Sequence, residues 1–167
     1  MLPSIALLAL VVLPQTADPT LPPANAHVKT TAIGLGVQVY RCAAMADAPA
    51  SFQWTYDSPE ATLFDPATHQ PMGTHSAGPT WTWKDGSSVE GKVMQKRASD
   101  VAGSIPWLLL ETHASGTATG ELTGVTLVRR SDTQAGAAPA TGCDAAHQNI
   151  VLRVPYQATY TFYTTSE

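Results

Sequence analysis

The stretch GTHSAG at residues 73–78 places a histidine beside a serine, a pairing that can support nucleophilic catalysis. Serine hydrolases of the α/β class carry the nucleophile in G-x-S-x-G, between a buried strand and a helix. Here Thr74 replaces the first glycine, and Gly78-Pro79 follows where a helix would have to begin. We therefore predict that Ser76 lies in a turn and that the chain is not a serine hydrolase of this class. Whether it is an enzyme of another kind stays open, with the balance against it.

Histidine 75 has a more constrained setting than the other four histidines, which are His27, His69, His113 and His147. Gly78 and Pro79 restrict the backbone beside it, and Trp81 and Asp85 follow closely. Two interpretations stay open: His75 ties its turn to Asp85, or it contacts a ligand or a metal. No two histidines have the i, i+2 or i, i+4 spacing of a ready-made metal site, so we predict no metal and no cofactor.

Tryptophans 81 and 83 flank a polar turn and alternate with threonines, so both rings should lie on one face of a strand. Aromatic rings beside a few fixed polar groups are typical of a small-ligand site. We expect Trp81 to be partly accessible and to border a pocket, whereas Trp107, within IPWLLL, should belong to the core. The predicted ligand-binding residues are His75, Trp81, Trp83, Lys84 and Asp85.

Composition limits the class of protein. The chain has 167 residues, enough for one domain, and only 13% are charged, about half the usual share. The formal net charge is −4, and the densest basic groups are the pairs Lys96-Arg97 and Arg129-Arg130. Nucleic-acid binding needs clustered positive charge, so we expect no nucleic-acid partner.

The N-terminus resembles a secretory signal. Residues 5–13 form an unbroken apolar run that is too short to span a bilayer. We predict a signal peptide over 1–17, with cleavage as late as residue 26, followed by a loosely attached Pro/Ala-rich arm over 18–35. The mature chain should be secreted or periplasmic, without a transmembrane segment.

From residue 36 onward, alternating apolar and polar residues predict β-structure. The predicted strands are 36–42, 51–57, 61–65, 80–83, 87–96, 105–112, 124–131 and 149–165. Pro155 should divide the last one or confine it to an edge. The fold class is therefore all-β: one domain over 36–167, built as a β-sandwich or closed β-barrel of about seven to nine short strands.

Two cysteines, Cys42 and Cys143, complete the pattern. An even count in an exported chain favours a disulfide between them, with two free thiols as the alternative.

Several blocks together carry a resemblance to one family. They are GVQVYRC (36–42), FQWTYDSPEATLFD (52–65), GTHSAGPTWTWKDGSSVEG (73–91), IPWLLLE (105–111), VTLVRRSDTQAGAAPATGC (125–143) and VPYQATYTFY (154–163). They resemble the DUF3455 family, an exported domain of unknown function found in bacteria and fungi. The resemblance implies a secreted or periplasmic domain whose signature loop contains His75, Gly78, Pro79, Trp81, Asp85, Gly86 and Ser87. One departure is Thr133-Gln134-Ala135-Gly136, where the resemblance implies two adjacent glycines.

Three hypotheses of function follow. The first is an exported β-domain that binds a small molecule or glycan at the 73–87 loop. The second is a structural or envelope-associated domain without a small ligand. The third is a metal-binding protein or metal-dependent enzyme. The oligomeric state is not indicated by the sequence.

Overall fold

The computed structural model of the chain describes residues 17–166, so the predicted signal peptide lies outside the described residues except for Ala17. Within this range the chain forms eight strands and a short 3₁₀ helix at Ala145–His147. The strands are β1 (Ala26–Met45), β2 (Ala48–Phe64), β3 (Pro71–Ser76), β4 (Thr80–Trp83), β5 (Ser88–Arg97), β6 (Trp107–Ala114), β7 (Leu127–Ala135) and β8 (Val151–Thr165). The all-β prediction is confirmed.

Each strand pairs antiparallel with the next along the chain, and β8 returns to pair with β1. This last ladder runs from Ala26 opposite Thr165 to Arg41 opposite Val151. The single sheet therefore closes on itself into an irregular barrel, with bulges such as the one between Val39 and Tyr40. Of the two predicted architectures, the closed barrel is the one observed.

The N-terminal arm predicted over 18–35 is wrong in its second half, because β1 already begins at Ala26. The β-branched residues of 28–33 favour a strand, and the neighbouring prolines hid that signal. The residues before β1 are also held in place. The Asp18 carboxylate lies 2.9 Å from Arg129 and 3.2 Å from Arg97, and Thr20 is fully buried.

Two prolines lie inside continuous strands: one falls in the gap between the predicted strands 51–57 and 61–65, and the other was expected to divide the strand 149–165 or confine it to an edge. Pro59 lies in β2 and Pro155 in β8, and both face β1 in register. On its other side, β2 pairs with β3 only from Ala61 onward, and β8 pairs with β7 only from Tyr156 onward. Each proline thus lies where its strand is paired on one side only, so its missing N–H interrupts no ladder.

The main core lies in the barrel interior and includes Trp81, Trp83, Tyr160 and Phe162. Trp107 is not part of it, which corrects the prediction for that residue. Its ring lies on the outer face of β6 beneath Arg97, whose guanidinium carbon is 3.8 Å from the ring centroid, and near Arg129 at 5.1 Å. Cation–π contacts of this kind stabilise a ring that is only half-buried.

The family departure at 133–136 falls at the end of β7. Ala135 has φ of 56° and Gly136 has φ of 86°, both in the left-handed region. Glycine adopts this conformation freely, whereas a residue with a Cβ pays roughly 1–2 kcal/mol. Ala135 thus adopts a backbone conformation that glycine would adopt more easily.

The predicted disulfide is confirmed between Cys42 and Cys143, whose Cα atoms are 5.3 Å apart. It ties β1 to the loop that joins β7 to β8. Hydrogen bonds reinforce the tie: the Tyr40 hydroxyl donates to the Gly136 carbonyl at 2.7 Å, and Trp54 Nε1–H donates to the Thr141 carbonyl at 3.0 Å. The long loop is thereby fixed over one end of the barrel.

We predict that the double variant Cys42→Ala/Cys143→Ala is strongly destabilised. The bond spans 101 positions of sequence. In the chain-entropy model, a loop of about 100 residues corresponds to up to ~4.7 kcal/mol of stabilisation. Urea unfolding of oxidised wild type, reduced wild type and the double variant measures the effect. Reduced wild type should match the variant; three equal midpoints would contradict the prediction.

Candidate ligand-binding cavity

A cavity of about 450 Å³ lies at the end of the barrel that carries the β3–β4 turn, and its lining reaches inward to Trp81 and Tyr160. Most of its wall is apolar, with Ile105, Leu108 and Leu110 on one side and Trp81 on another. Tyr56 and Val93 also line it and remain about half exposed, so they mark its entrance. The volume falls in the range of natural small-molecule sites.

The strand periodicity of two sends alternate side chains into the barrel interior. On β8 the buried residues Tyr156, Ala158, Tyr160 and Phe162 follow one another at that spacing. On β7, Val128 and Arg130 are buried in the same phase, while Arg129 points to the outer face with Trp107. Tyr160 and Arg130 therefore reach the cavity from neighbouring strands.

His75 belongs to the cavity wall and is only 3% exposed. Its ring stacks on Trp81, with centroids 4.5 Å apart and planes 6° from parallel. Nδ1 lies 2.9 Å from the Thr80 carbonyl, which can only accept, so Nδ1 carries the proton and Nε2 is left as an acceptor in the neutral ring. Burial lowers the pKa of His75 to about 3, so the ring is neutral at physiological pH.

Arg130 brings the only positive charge among the described residues that line this cavity. Its side chain is buried, with 8% exposure, and Nε–H donates to the Pro106 carbonyl at 3.1 Å. Within residues 17–166 no carboxylate lies within 4.0 Å of it. Burial raises the pKa of the neighbouring Tyr160 hydroxyl, and the Arg130 charge acts in the opposite direction.

Two residues that line the cavity each carry an enclosed polar atom that has no hydrogen-bond partner in the described part of the chain. These atoms are Nε2 of Gln38 and Nε1 of Trp81, and both side chains are almost fully buried. A buried donor without a partner costs about 1–3 kcal/mol, so each such group calls for an explanation. Both are donors, as is the guanidinium of Arg130.

Comparison of the sequence with known protein families identifies one family. The family model described as "Protein of unknown function (DUF3455)" matches residues 22–164. The chain belongs to the DUF3455 family. No curated protein and no solved structure matches it. The match confirms the resemblance carried by the sequence blocks and extends it to the start of β1.

In this DUF3455 domain, some of the predicted site residues line the cavity and the others do not. His75 and Trp81 line the cavity and touch each other, as their spacing suggested. Trp81 is only 1% exposed, so the expectation that it is partly accessible was wrong: it borders the cavity from within the core. Trp83 packs in the core against Phe162, at 5.2 Å between centroids. Lys84 and Asp85 are exposed at the β4–β5 turn and do not line the cavity.

The Asp85 turn of the signature loop is a structural clamp. Asp85 accepts hydrogen bonds from the backbone and hydroxyl of Ser87, at 2.9 and 2.6 Å, and from Glu121 N–H at 2.7 Å. The buried Ser87 hydroxyl in turn accepts from Leu122 N–H at 3.0 Å. The Ser87 hydroxyl bond lowers the pKa of the Asp85 carboxyl. Asp85 thus holds the 120–122 loop, and the predicted tie between His75 and Asp85 is wrong because His75 bonds Thr80 instead.

Ser76 is the last residue of β3 and not a turn residue, which corrects its predicted position. A turn and then β4 follow it, so the strand–helix setting of a nucleophile elbow is not present there. Within residues 17–166 no three His, Cys, Asp or Glu side chains gather closely enough to hold a metal ion. In the same range, no helix has both the length and the apolar character needed to cross a membrane.

Several cavity residues of the DUF3455 domain escaped the sequence analysis. They are Gln38, Tyr40, Tyr56, Arg130 and Tyr160. For Arg130 a signal existed: in GVTLVRRS it stands two residues after Val128, which places a charge in phase with an apolar position. As two adjacent basic residues, Arg129-Arg130 indicate a basic patch on the surface, and this interpretation hides the alternation of inward and outward side chains.

Removing His75 should reduce the acid sensitivity of the fold. Its pKa is about 3 when folded and about 6.5 when unfolded, so between these values the unfolded state binds the extra proton. Stability is therefore lost as the pH falls through this window, by about 2 kcal/mol between about pH 7 and about pH 4.5. In His75→Gln, the drop in unfolding free energy between these two pH values should be smaller by that amount.

Urea unfolding at both pH values measures it, with His113→Gln, an exposed histidine on β6, as the matched control. If His75→Gln loses as much stability on acidification as wild type, burial of a neutral His75 does not contribute.

Proposed function

We propose that this DUF3455 protein binds one small molecule with a largely apolar body inside its barrel. The observation that carries the proposal is the cavity of about 450 Å³, whose mostly apolar wall includes the buried side chain of Arg130. Natural sites combine apolar walls with a few convergent polar groups in this way.

The cavity favours binding over a purely structural role. Protein interiors are close-packed, and voids larger than a water molecule are few. A domain that served only as a scaffold would gain stability by filling this space with larger side chains. It would also gain by replacing Gln38, whose buried amide nitrogen has no partner among the described residues. A ligand that fills the volume and accepts hydrogen bonds explains both features.

The burial of the aromatic residues favours a small apolar molecule over a glycan. A sugar-stacking platform needs an aromatic face open to solvent, and Trp81 and Trp83 are 1% and 5% exposed. Trp81 borders the cavity from within the core instead. The metal-dependent hypothesis receives no support from the residues of this wall.

The neutral dye N-phenyl-1-naphthylamine tests the proposal, because its fluorescence rises in an apolar site. We expect saturable binding by wild type and a loss of affinity of more than about tenfold in Val93→Trp. Val93 lines the entrance and is 47% exposed, so a larger ring there obstructs the cavity without disturbing the core. Leu108→Trp, deeper in the wall, should act in the same way.

The matched control is Val28→Trp, which makes the same substitution at a valine on β1 that is 62% exposed and does not line the cavity. It should bind the dye like wild type. Equal affinity in all variants, or no saturable binding by wild type, would contradict binding inside the barrel.

We further propose that the protein is exported and that its mature chain begins at Asp18. A disulfide persists in oxidising compartments outside the cytosol, which supports export. Cleavage after Ala17 keeps the Asp18 contacts with Arg97 and Arg129. Cleavage after Ala26 would remove these contacts together with the buried Thr20.

N-terminal sequencing of protein recovered from the exported fraction checks this. We expect a sequence that starts Asp18-Pro19-Thr20. A start at His27 would show that the Asp18 contacts are dispensable, and an intact Met1 would contradict export with cleavage. In the mature chain that begins at residue 18, Asp18→Asn should lower the melting temperature. The size of that change measures how much the Asp18 contacts stabilise the fold.

A further inference from the structure

We propose that the ligand of the cavity is an organic anion, whose carboxylate, sulfonate or phosphate group pairs with Arg130. This rests on the proposed function, because it names the chemical class of the molecule that the barrel holds. The two are separable, since a cavity could bind a neutral apolar molecule without using Arg130.

The charge of Arg130 is the first observation. A guanidinium stays protonated at any physiological pH, and it carries its charge into a low-dielectric interior at high cost unless a partner neutralises it. Arg130 is 8% exposed, lines the cavity and has no carboxylate within 4.0 Å among the described residues. A ligand anion supplies the missing negative charge.

Arg129, its neighbour on β7, shows the contrast. It lies on the outer face, where Asp18 pairs with it at 2.9 Å and the Trp107 ring lies 5.1 Å away. Two adjacent arginines thus face opposite sides of one strand, and the outer one has a carboxylate partner. The inner one faces the cavity instead.

The second observation is that two other residues of the cavity wall carry hydrogen-bond donors without a partner among the described residues. Nε2 of Gln38 and Nε1 of Trp81 each present N–H groups without acceptors in the described part of the chain. Anions accept hydrogen bonds at every oxygen, and charge-assisted bonds are stronger than neutral ones. Three donor side chains from β1, β4 and β7 therefore line one cavity with a positive charge.

Asp57 is the carboxylate among the lining residues, so it must be weighed against this reading. Its side chain is 51% exposed and lies 3.9 Å from Arg41. It belongs to the solvated entrance and interacts with a different arginine. It leaves the charge of Arg130 uncompensated in the interior.

The rest of the cavity wall indicates the chemical character of the uncharged part of the ligand. Ile105, Leu108 and Leu110 provide aliphatic surface, and the His75–Trp81 stack provides a flat aromatic one. A planar aromatic or short aliphatic body with one anionic group matches both parts. An aromatic carboxylate is the simplest member of this class.

A matched pair of competitors tests the charge directly. Naphthalene-2-carboxylate and naphthalene-2-carboxamide have the same body and differ in charge. Each is titrated against N-phenyl-1-naphthylamine bound to wild type. We expect the carboxylate to displace the dye at a concentration at least about tenfold lower than the carboxamide. Equal or weaker displacement by the carboxylate would overturn the proposal without any variant.

Variants assign the preference to Arg130. In Arg130→Gln the carboxylate should lose at least about tenfold in affinity, whereas the dye and the carboxamide change by less than about threefold. Arg129→Gln makes the same substitution one residue away on the outer face and should leave all three unchanged. Arg130→Lys should restore part of the preference, because it returns the charge without the planar fork. Arg130→Met keeps similar bulk and replaces Arg130→Gln if that variant does not fold.

The outcomes distinguish the two proposals. If the dye binds and Val93→Trp excludes it, but the carboxylate has no advantage in wild type, the cavity binds neutral molecules and only the anion inference falls. If the dye does not bind wild type and neither competitor stabilises the protein against heat, the proposed function falls as well. If the carboxylate preference survives in both Arg130→Gln and Arg130→Met, another group holds the anion and the assignment to Arg130 is wrong.

Discussion

The pairing of β1 with β8 is the constraint on which the rest of this structure depends. An open sheet of eight strands would expose two edges and could bury only what packed onto its faces. Closure removes both edges and forces the alternate side chains of all eight strands into one interior. Because β1 is 20 residues long, it also extends beyond the barrel with β2 and β8, and Cys42 on this extension anchors the loop before β8.

Closure also explains why two neighbouring residues of the same type have opposite surroundings. Arg129 and Arg130 differ by one position, and the alternation along β7 sends them to opposite faces. Outside, the N-terminal segment brings Asp18 to Arg129, and Trp107 lies against the guanidinium. Inside, the strands that surround Arg130 contribute hydroxyls and amides but no close carboxylate among residues 17–166. The barrel therefore compensates one charge and leaves the other facing the cavity.

The sequence was sufficient for those features that depend on neighbouring residues. Alternation predicted the strand around Trp81 and Trp83, turn residues predicted the bend at Asp85-Gly86, and the export context predicted the disulfide. The sequence was insufficient for features that depend on which strands pair with one another. The residues around Pro59 were predicted as two strands, and the two alternatives at Pro155 stayed open, because the pairing on each side of a strand cannot be seen in one segment. Trp81 was placed on the correct face, but only closure of the sheet determines that this face is the interior.

The cavity is not a packing defect, because the side chains that line it are held in position by their own contacts. The rings of His75, Trp81 and Tyr160 contact one another, with centroids 4.5 to 5.8 Å apart. Glycines on neighbouring strands make room for them: a Cβ at Gly34 would lie 2.5 Å from the Tyr160 ring, and one at Gly91 would lie 2.9 Å from the Trp81 ring. Flat rings seated on bare backbone cannot turn inward to fill the space without losing these contacts. The wall therefore holds its shape without a ligand, and the site proposed above would lose less binding free energy to the ordering of side chains than a flexible site would.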